Sequence, residues 1–333
     1  CKVVAQTRTN RGIRWHEITA RICRDAVTGV QAYLVSEIDV TELKETQERA
    51  RFFADHDLLT GLPNRVFLQA HLPRMISNAA SDAQSLYLYF IDLNGFKTVN
   101  DTLGHAVGDL LLKAVAGRLS GFVAERGTVA RLGGDEFLVC VPDRTGTLNP
   151  QDFGRQLIDL FLEPMDIAGH VLHTTLAVGL SICPDDGTDM DTLMRHCDLA
   201  LFEAKNDKSS KVTPFSMDLR QRLEEKVTLE KDLWRALERD EFVLYYQPRL
   251  CVKTGAIVSA EALIRWQHPE RGLLGPLCFI PACEETGMII DVGEWVYRNV
   301  ARQQAAMQAE GIDISLSINL SPRQFSDPDL ITK

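Results

Sequence analysis

Residues 131–137, Arg-Leu-Gly-Gly-Asp-Glu-Phe, place two glycines and two carboxylates between runs of β-forming residues. The runs are residues 129–132 and 137–141, and a Gly-Gly pair between them supplies the positive φ values that a tight hairpin turn needs. Glycines also let the turn backbone approach a ligand closely, since they carry no Cβ. The pattern predicts a hairpin that presents Asp135 and Glu136 to a metal ion. An ordinary solvated acidic turn is the alternative.

A second acidic element follows an apolar run at residues 86–91, Leu-Tyr-Leu-Tyr-Phe-Ile. A short continuous run of this kind is typical of a central strand that is buried on both faces. Asp92 comes directly after it, and α/β sheets usually place ligand chemistry at the carboxyl ends of their strands. We therefore expect Asp92 and Asp135 to hold Mg²⁺ or Mn²⁺ through oxygen ligands, in a site for phosphoryl transfer.

The residues between these two elements carry groups suited to a purine nucleotide. Lys97 would neutralise phosphate charge, and Asn100 and Asp109 offer an amide and a carboxylate to the polar edge of the base. A carboxylate pairs best with guanine, which has N1–H and 2-amino donors. Helix capping is the alternative role for Asn100 and Asp109, since Asp109 precedes an apolar helix predicted over residues 110–119.

Four motifs in this region resemble, in order and spacing, the GGDEF diguanylate cyclase domain. The resemblance implies a mixed α/β (α+β) fold like the palm of cyclases and polymerases, with GTP as the substrate and cyclic-di-GMP as the product. A further segment, residues 198–205 (Asp-Leu-Ala-Leu-Phe-Glu-Ala-Lys), resembles the closing helix of the family. The four motifs are residues 57–65 (Asp-Leu-Leu-Thr-Gly-Leu-Pro-Asn-Arg), 92–97 (Asp-Leu-Asn-Gly-Phe-Lys), 100–105 (Asn-Asp-Thr-Leu-Gly-His) and 133–137 (Gly-Gly-Asp-Glu-Phe).

The resemblance also implies roles for individual residues. Asp92, the Leu93 carbonyl and Asp135 would bind metal, and Glu136 would bind a second metal or activate the attacking hydroxyl. Lys97 would support the transition state. The substrate-binding residues that it implies are Asn100, His105 and Asp109 for the guanine nucleotide, Gly133 and Gly134 in the turn, and Lys205 for the triphosphate. For His105, a capping or core position is the alternative.

The chain departs from the family pattern at three places. Lys208-Ser209 stands where Gly-Arg is usual, which removes one phosphate contact unless Lys208 or Lys211 substitutes for it. Asn94 replaces the usual second Asp of the first acidic motif, while the other metal ligands are intact. Residues 124–127, Ala-Glu-Arg-Gly, replace the Arg-x-x-Asp product-inhibition motif, which makes product feedback at that site doubtful.

A second set of motifs lies in the last third of the chain. A β-rich run at residues 242–248 ends at proline, and Glu-Ala-Leu-Ile-Arg-Trp-Gln-His-Pro at 261–269 and Ser-Ile-Asn-Leu-Ser at 317–321 follow it. These segments resemble the start of the EAL domain, a cyclic-di-GMP phosphodiesterase on a TIM-like barrel. The site residues that this resemblance implies are Glu261 and Asn319 as metal ligands, Arg265 as a phosphate contact and Gln247 in the ligand site.

The roles that the resemblance implies for these residues have alternatives. Glu261 and Arg265 have the spacing of an i,i+4 ion pair, and Asn319 could be a hydrogen bonder at a strand end.

A (β/α)₈ barrel needs about 200 residues or more, whereas only 119 follow Pro214. We therefore expect an incomplete barrel whose remaining acidic ligands and catalytic lysine lie beyond Lys333. The sequence is then a fragment of a longer protein, and this chain should not hydrolyse cyclic-di-GMP.

The amino end predicts two strands, over residues 11–22 and 30–38, followed by Asp-Val-Thr-Glu at 39–42. These features resemble the last hairpin of a PAS sensor domain and its exit motif. Asp39 and Glu42 have capping-box spacing, so a helix is predicted to start there. A short amphipathic linker packed on one domain is the alternative to a coiled coil. The positions that approximate a coiled-coil seam are Val40, Leu43, Ala50, Phe53 and Ala54.

Four domains are predicted from these motifs. Composition places the chain among soluble cytoplasmic proteins: no run approaches the 18 apolar residues of a membrane span, and the eight cysteines show no CxxC metal spacing. The net charge of −10 argues against nonspecific nucleic-acid binding. The predicted domains are the end of a PAS domain (1–39), a signalling helix (40–55), a GGDEF domain (56–214) and the first part of an EAL domain (215–333).

The leading hypothesis for function is a diguanylate cyclase that condenses two GTP into cyclic-di-GMP and pyrophosphate. Because one domain holds one GTP, a homodimer would be the catalytic unit, and the helix that follows Asp39 would control its geometry. A competing hypothesis makes the parent protein mainly a phosphodiesterase, with the first domain binding GTP as an effector. A third makes the chain a noncatalytic nucleotide receptor, because of the altered Lys208-Ser209 region. Membrane anchoring of the parent is left open.

Overall fold

Two compact units, Cys1–Ser216 and Met217–Lys333, make up the chain in a computed structural model. In the described part of the chain, no helix is long and apolar enough to cross a membrane. The residues that the structure describes are 2–10, 12–24, 27, 29–206 and 211–326.

A three-stranded antiparallel sheet opens the first unit. It consists of β1 (Lys2–Thr9), β2 (Gly12–Arg24) and β3 (Gln31–Asp39), with β2 in the middle. The two predicted strands are confirmed as β2 and β3, whereas β1 was not predicted. The assignment of this sheet to a PAS domain stays a prediction.

Helix α1 (Thr41–Asp55) begins close to the predicted start, but different contacts define that start. The N-cap residue is Val40, whose side chain makes no capping hydrogen bond. Asp39 instead accepts a hydrogen bond from the Thr41 amide at 2.9 Å. The Thr41 hydroxyl accepts one from the backbone N–H of Trp15 at 2.8 Å. The predicted capping box is therefore wrong, and strand β2 fixes where the helix begins.

A five-stranded sheet with helices on both faces forms the rest of the first unit. Its elements in chain order are α2 (Arg65–Ser81), β4 (Ser85–Leu93), α3 (Phe96–Leu103), α4 (His105–Val123), a 3₁₀ turn (Ala124–Arg126), β5 (Thr128–Gly133), β6 (Glu136–Asp143), α5 (Pro150–Asp159), β7 (Met165–Ile167), β8 (His170–Leu172), β9 (Leu176–Cys183), α6 (Met190–Asn206) and β10 (Val212–Pro214). The sheet order is β10-β9-β4-β6-β5; β10 is parallel to β9, and the other neighbours are antiparallel. Strands β7 and β8 form a separate hairpin.

Strand β4 is the central strand and is buried on both faces, as its apolar run predicts. Alternate side chains of a strand point to opposite faces of the sheet. Tyr87 and Ile91 pack in one core with α4 and α5, and Leu86 and Leu88 pack in another with α2 and α6. The polar Asp92 therefore lies near the carboxyl end of β4, on the face that packs against α2 and α6.

The second unit contains a four-stranded sheet with helices packed on it. Strand β12 pairs with β11 and β13 antiparallel and with β14 parallel. Phe242, Trp266 and Phe279 form the centre of its core. The described residues form no closed barrel, and the incomplete barrel stays a prediction. The elements are α7 (Met217–Glu238), β11 (Phe242–Leu250), β12 (Ile257–His268), β13 (Gly272–Leu274), α8 (Pro276–Thr286), α9 (Ile289–Ala309), β14 (Ser315–Ile318) and a 3₁₀ turn (Gln324–Ser326).

Candidate functional site

The β5–β6 hairpin and the end of β4 bring the predicted acidic residues together. Asp92 pairs in register with Glu136 across β4 and β6. Gly133 pairs with Glu136 across the hairpin, so the two central turn residues are Gly134 and Asp135. The sequence predicted a Gly-Gly turn, and this detail is wrong by one residue. Gly134 has a φ of 51° and Gly133 one of 149°, so both positions use the conformational freedom of glycine.

Helix α6 carries Lys205 to the same place because the helix lies unusually close to the sheet. A Cβ added at Gly179 of β9 would come within 2.3 Å of the Leu201 backbone nitrogen. The Cys197 thiol of the helix donates a hydrogen bond to the Leu88 carbonyl at 3.1 Å. As a result, the Lys205 ammonium lies 2.6 Å from Asp92 Oδ2. The close approach of helix and sheet thus positions the basic residue of the site.

The electrostatics of this site favour a cation. Burial is the main cause that raises the pKa of Asp92, and the nearby Asp135 carboxylate adds to it, although the Lys205 hydrogen bond acts in the opposite direction. Burial also raises the pKa of Glu136; the Lys205 ammonium acts against this rise, and the carboxylates of Asp92, Asp198 and Asp135 add to it. Both pKa values stay raised with Lys205 in place, so added positive charge would stabilise the ionised forms of the two carboxylates.

The fit of this site to a divalent metal rests on its donor set. Carboxylate and backbone carbonyl oxygens are the ligands that Mg²⁺ prefers, and Asp92, Asp135, Glu136 and the carbonyl of Leu93 supply them. Leu93 is the last, buried residue of β4. Among the described residues, no three acidic, histidine or cysteine side chains are yet arranged around one metal position. The donors fit the ion, but they would have to rearrange around it.

Helices α3 and α4 hold the residues predicted to bind the nucleotide. Lys97 lies in α3, and His105 and Asp109 lie in α4; all three side chains are exposed. Asn100 lies inside α3 with its side chain against α4, because a Cβ added at Gly108 would lie 2.0 Å from its amide oxygen. The structure thus gathers these residues on two adjoining helices, but it shows no contact between them and a nucleotide.

The capping alternatives for these residues are wrong. Helix α4 begins at His105 rather than after Asp109, because Gly104, with a φ of 87°, separates it from α3. Asp109 and Asn100 are therefore interior helix positions, and His105 is the first helical residue rather than a cap or a core residue.

A buried arginine that the sequence analysis did not single out holds the acidic turn. Arg131 Nη1 donates to both carboxylate oxygens of Asp57, at 2.8 and 2.9 Å. Its Nε and Nη2 donate to the Gly134 carbonyl at 3.0 and 2.7 Å. Burial would raise the pKa of Asp57, but hydrogen bonds from Thr60 and Arg131 outweigh it and hold that pKa below its ordinary value. Asp57 and Arg131 are thus positioning residues for the turn.

The segment that supplies Asp57 also connects the turn to α1. Asn64 Nδ2 donates to the Ala54 carbonyl at 2.8 Å, and the Arg131 amide donates to the Pro63 carbonyl at 2.9 Å. Asn64 Oδ1 in addition caps α2. The available sequence signal was the Asp57–Arg65 motif itself, which begins with this carboxylate.

The structure describes two of the three places where the chain departs from the family pattern. Lys208 and Ser209 lie outside the described residues. Asn94 Nδ2 donates to the Thr175 hydroxyl at 3.0 Å, which ties the loop after β4 to the start of β9. Residues 124–126 form the 3₁₀ turn. The expectation about product feedback stays a prediction.

In the second unit, the structure joins two of the predicted site residues directly. Asn319 Nδ2 donates to Glu261 Oε1 at 2.7 Å, just after β14 ends. Gln247 pairs with Glu261 in the β11–β12 register. Arg249, which the sequence analysis missed, donates to Glu261 Oε2 at 2.8 Å. Hydrogen bonds from Arg249 and Asn319 lower the pKa of Glu261. The period of two along β11 places Gln247 and Arg249 on one face of the strand, which was the missed signal.

Arg265 does not pair with Glu261. Both residues lie on β12, where a four-residue spacing separates side chains far more than on a helix. Arg265 Nη1 donates to the Ile264 carbonyl at 2.9 Å, and its guanidinium lies 5.8 Å from the Tyr245 ring centroid. The i,i+4 ion pair is therefore wrong, whereas Asn319 does hydrogen-bond at a strand end.

Two family models match the chain. The first, described as diguanylate cyclase, GGDEF domain, matches residues 54–211, and the EAL domain matches residues 230–333. The chain therefore carries a GGDEF domain followed by an EAL domain sequence, and it belongs to the GGDEF–EAL proteins. The resemblances drawn from its motifs are confirmed for both domains.

The chain is similar to curated proteins that are longer than itself. The signaling protein YkoW of Bacillus subtilis is 40% identical over 88% of this chain and 37% of its own length. The cyclic di-GMP phosphodiesterase PdeR of Escherichia coli is 37% identical over 90% of this chain and 45% of its own. The bifunctional diguanylate cyclase/cyclic di-GMP phosphodiesterase MucR of Pseudomonas aeruginosa is 36% identical over 87% and 42%. This chain thus spans less than half the length of each of these relatives.

Proposed function

We propose that the GGDEF domain of this chain joins two GTP molecules into cyclic-di-GMP. The 3′-hydroxyl of each GTP attacks the α-phosphate of the other, so that two phosphodiester bonds form and two pyrophosphates leave. The observation that carries the proposal is the arrangement of Asp92, Glu136 and Lys205 at the end of β4, beside the Gly134–Asp135 turn. An excess of carboxylates around one ammonium is suited to a metal–triphosphate substrate.

The acidic residues would serve the metal and the attacking hydroxyl. Asp92, Asp135 and the Leu93 carbonyl would hold Mg²⁺ or Mn²⁺, which when bound would stabilise charge on the attacking and leaving oxygens. Glu136 would complete the site or accept the proton of the 3′-hydroxyl. Burial raises the pKa of Glu136, and a raised pKa makes a carboxylate a better proton acceptor near neutral pH.

The remaining residues would bind the nucleotide. Lys97 would support the transition state by offsetting phosphate charge, and Lys205 would bind the triphosphate. Asn100 and Asp109 would pair with the guanine edge, with His105 beside them at the start of α4. Gly133 and Gly134 leave the turn open to the nucleotide, because no atom lies within 4 Å of a Cβ added at either position.

A homodimer would be the catalytic unit, since each domain offers one GTP site and the reaction joins two GTP molecules. Helix α1 is the proposed control of dimer geometry. Leu43 and Phe53, two positions of the proposed seam, are both 58% exposed. The segment that follows α1 is tied through Asp57 and Arg131 to the acidic turn. The position of α1 could thereby affect the site.

A second candidate function has its own supporting observation. Glu261 and Asn319 are joined in the second unit as the EAL resemblance implies, and PdeR is named a phosphodiesterase. In this alternative the parent protein mainly hydrolyses cyclic-di-GMP, and its GGDEF domain binds GTP as an effector. A noncatalytic nucleotide receptor is the remaining alternative.

Incubation of the purified chain with GTP and Mg²⁺, with products identified by mass, tests the proposal. We expect cyclic-di-GMP and pyrophosphate in a ratio of one to two. GTP that binds but stays intact would support the effector or receptor hypotheses and contradict the cyclase.

A further inference from the structure

Lys205 has a partner in this structure that its predicted role does not explain. The resemblance assigns this lysine to the triphosphate, whereas its ammonium lies 2.6 Å from Asp92 Oδ2, a predicted metal ligand. Asp92 is also the most buried carboxylate of the site. The Lys205 ammonium thus contacts the carboxylate that is predicted to bind the metal ion.

A lysine ammonium and a divalent cation compete for the negative charge of one carboxylate. Mg²⁺ binds oxygen at about 2.0–2.1 Å, so a metal ion on Asp92 would lie close to an ammonium that stays at hydrogen-bond distance from the same group. Two positive charges repel each other at such a short distance. Metal binding at Asp92 therefore weakens the Lys205 contact and favours movement of the ammonium away from the carboxylate.

Lys205 is able to move. It is the second-last residue of α6, and its side chain is 40% exposed. A lysine side chain is a flexible four-carbon stem with a compact charge. Departure from Asp92 without a new partner would leave the ammonium beside the metal, but a triphosphate would provide that partner.

We propose that Lys205 is an exchanging counter-ion, which neutralises Asp92 in the nucleotide-free protein and transfers to the triphosphate when the metal takes its place. This inference rests on the proposed GTP site. It makes metal and nucleotide binding cooperative: metal alone binds weakly because the ammonium repels it and competes for Asp92, and triphosphate strengthens metal binding by drawing Lys205 away. By linkage, metal strengthens nucleotide binding to the same degree.

The test is the Mn²⁺ affinity of the nucleotide-free 333-residue chain, measured from free Mn²⁺ by electron paramagnetic resonance. Lys205→Met should bind Mn²⁺ at least about fivefold more tightly than the wild type, because the competing charge is gone. The same variant should bind a nonhydrolysable GTP analogue more weakly. These opposite effects distinguish a counter-ion from a residue that only binds triphosphate, whose loss would leave metal affinity unchanged.

Three control variants sharpen the test. Lys205→Arg keeps the charge and should restore Mn²⁺ affinity close to that of the wild type. Lys113→Met removes one charge from an exposed position on α4 and should cause no gain. Adding Asp92→Asn to Lys205→Met should abolish the gain, which assigns it to this site rather than to the EAL domain. Thermal melting, together with a second variant, Lys205→Gln, guards against a folding defect.

A Lys205→Met protein that is folded and binds Mn²⁺ no more tightly than the wild type would overturn the proposal. An equal gain in Lys113→Met would overturn it as well, because the effect would then be one of overall charge. Neither readout needs turnover. If Lys205→Met binds Mn²⁺ more tightly but the wild-type chain makes no cyclic-di-GMP, the counter-ion proposal is therefore supported and the cyclase proposal is contradicted.

Discussion

The two units of this chain use the same pair of groups, a carboxylate and a basic side chain, in different surroundings. In the first unit, Asp92 and Lys205 lie 2.6 Å apart and their side chains are 11% and 40% exposed. In the second, Glu261 and Arg249 lie 2.8 Å apart and are 22% and 56% exposed. The distances are similar, but the carboxylate of the first pair lies deeper.

Burial changes what each pair does. The complete sheet of the first unit buries Asp92 and raises its pKa, in spite of the lysine. In the open sheet of the second unit, hydrogen bonds from Arg249 and Asn319 lower the pKa of Glu261. The pKa of the first carboxylate is therefore raised even with its ammonium partner in place, whereas the partners of the second lower its pKa. We propose that this difference favours chemistry in the first unit of this chain.

Removal of Asp135 should give the largest effect. Asp135→Ala should reduce cyclic-di-GMP formation below detection while the melting temperature stays close to that of the wild type, because a turn carboxylate contributes to the metal site more than to the core. Product chromatography and thermal melting measure the two. Asp191→Ala, on the exposed first turn of α6, is the control and should keep its activity. Wild-type turnover in Asp135→Ala would contradict the role of Asp135 as a metal ligand and, with it, the proposed difference between the two acidic sites.

The second-largest effect is expected from loss of Arg131, the arginine that holds the acidic turn. Arg131→Met leaves Asp57 partly buried without its cation, which should cost roughly 3 kcal/mol in the free energy of unfolding of the first unit. Hydrogen exchange of the β5–β6 amides would report it, and turnover should fall as the Gly134 carbonyl loses its two donors. Arg155→Met breaks an exposed pair with Asp152 and should change little. Equal effects of the two variants would mean that Arg131 does not position the turn.

A smaller effect is expected for the base-reading carboxylate. Asp109→Ala should weaken GTP binding by roughly 1.5–3 kcal/mol, the value of charged hydrogen bonds, and leave ATP binding almost unchanged. Isothermal titration with both nucleotides measures the difference. Asp101→Ala, an exposed carboxylate of α3, provides the comparison and should affect both nucleotides alike. If Asp109→Ala weakened both equally, the residue would not read guanine.

The smallest effect should come from the exposed pair of the second unit. Arg249→Met removes the main cause of the low pKa of Glu261, so that pKa should rise toward the ordinary value of 4.5 in a carbon-13 titration. A lowered pKa stabilises the fold above the ordinary value, and this contribution is lost as the pH falls through the lowered value. The stability difference between wild type and variant should thus be small above pH 4.5 and vanish in acid. A loss of stability as large as that of Arg131→Met would contradict the contrast in burial.

The elements that the sequence predicted are those whose signal is local. The apolar run before Asp92 predicted a strand buried on both faces, and the β-forming runs around Gly133 predicted the hairpin. Local signals were also the source of errors: the sequence predicted a helix that begins after Asp109, whereas α4 begins at His105, after a glycine. The start of α1 was predicted correctly, but from a capping box that does not form.

Side-chain partners brought together by the fold were not predictable in the same way. Arg131 and Asp57 are 74 residues apart, and neither residue alone shows what it will contact. Lys205 was assigned to the triphosphate, but its contact with Asp92 depends on how closely α6 approaches β9. These contacts depend on how segments far apart in the sequence pack together, and the periodic pattern of a single segment does not predict that packing.

A single time course compares the two units most directly. The purified chain is incubated with labelled GTP and Mg²⁺, and cyclic-di-GMP and its linear hydrolysis product are quantified together. We expect cyclic-di-GMP to accumulate and persist without the linear dinucleotide, since Asp92 and Glu136 of the first unit have raised pKa values that a metal ion would offset, whereas the pKa of Glu261 in the second is already lowered by its partners. Linear dinucleotide in the reaction, or GTP that stays intact, would contradict this account.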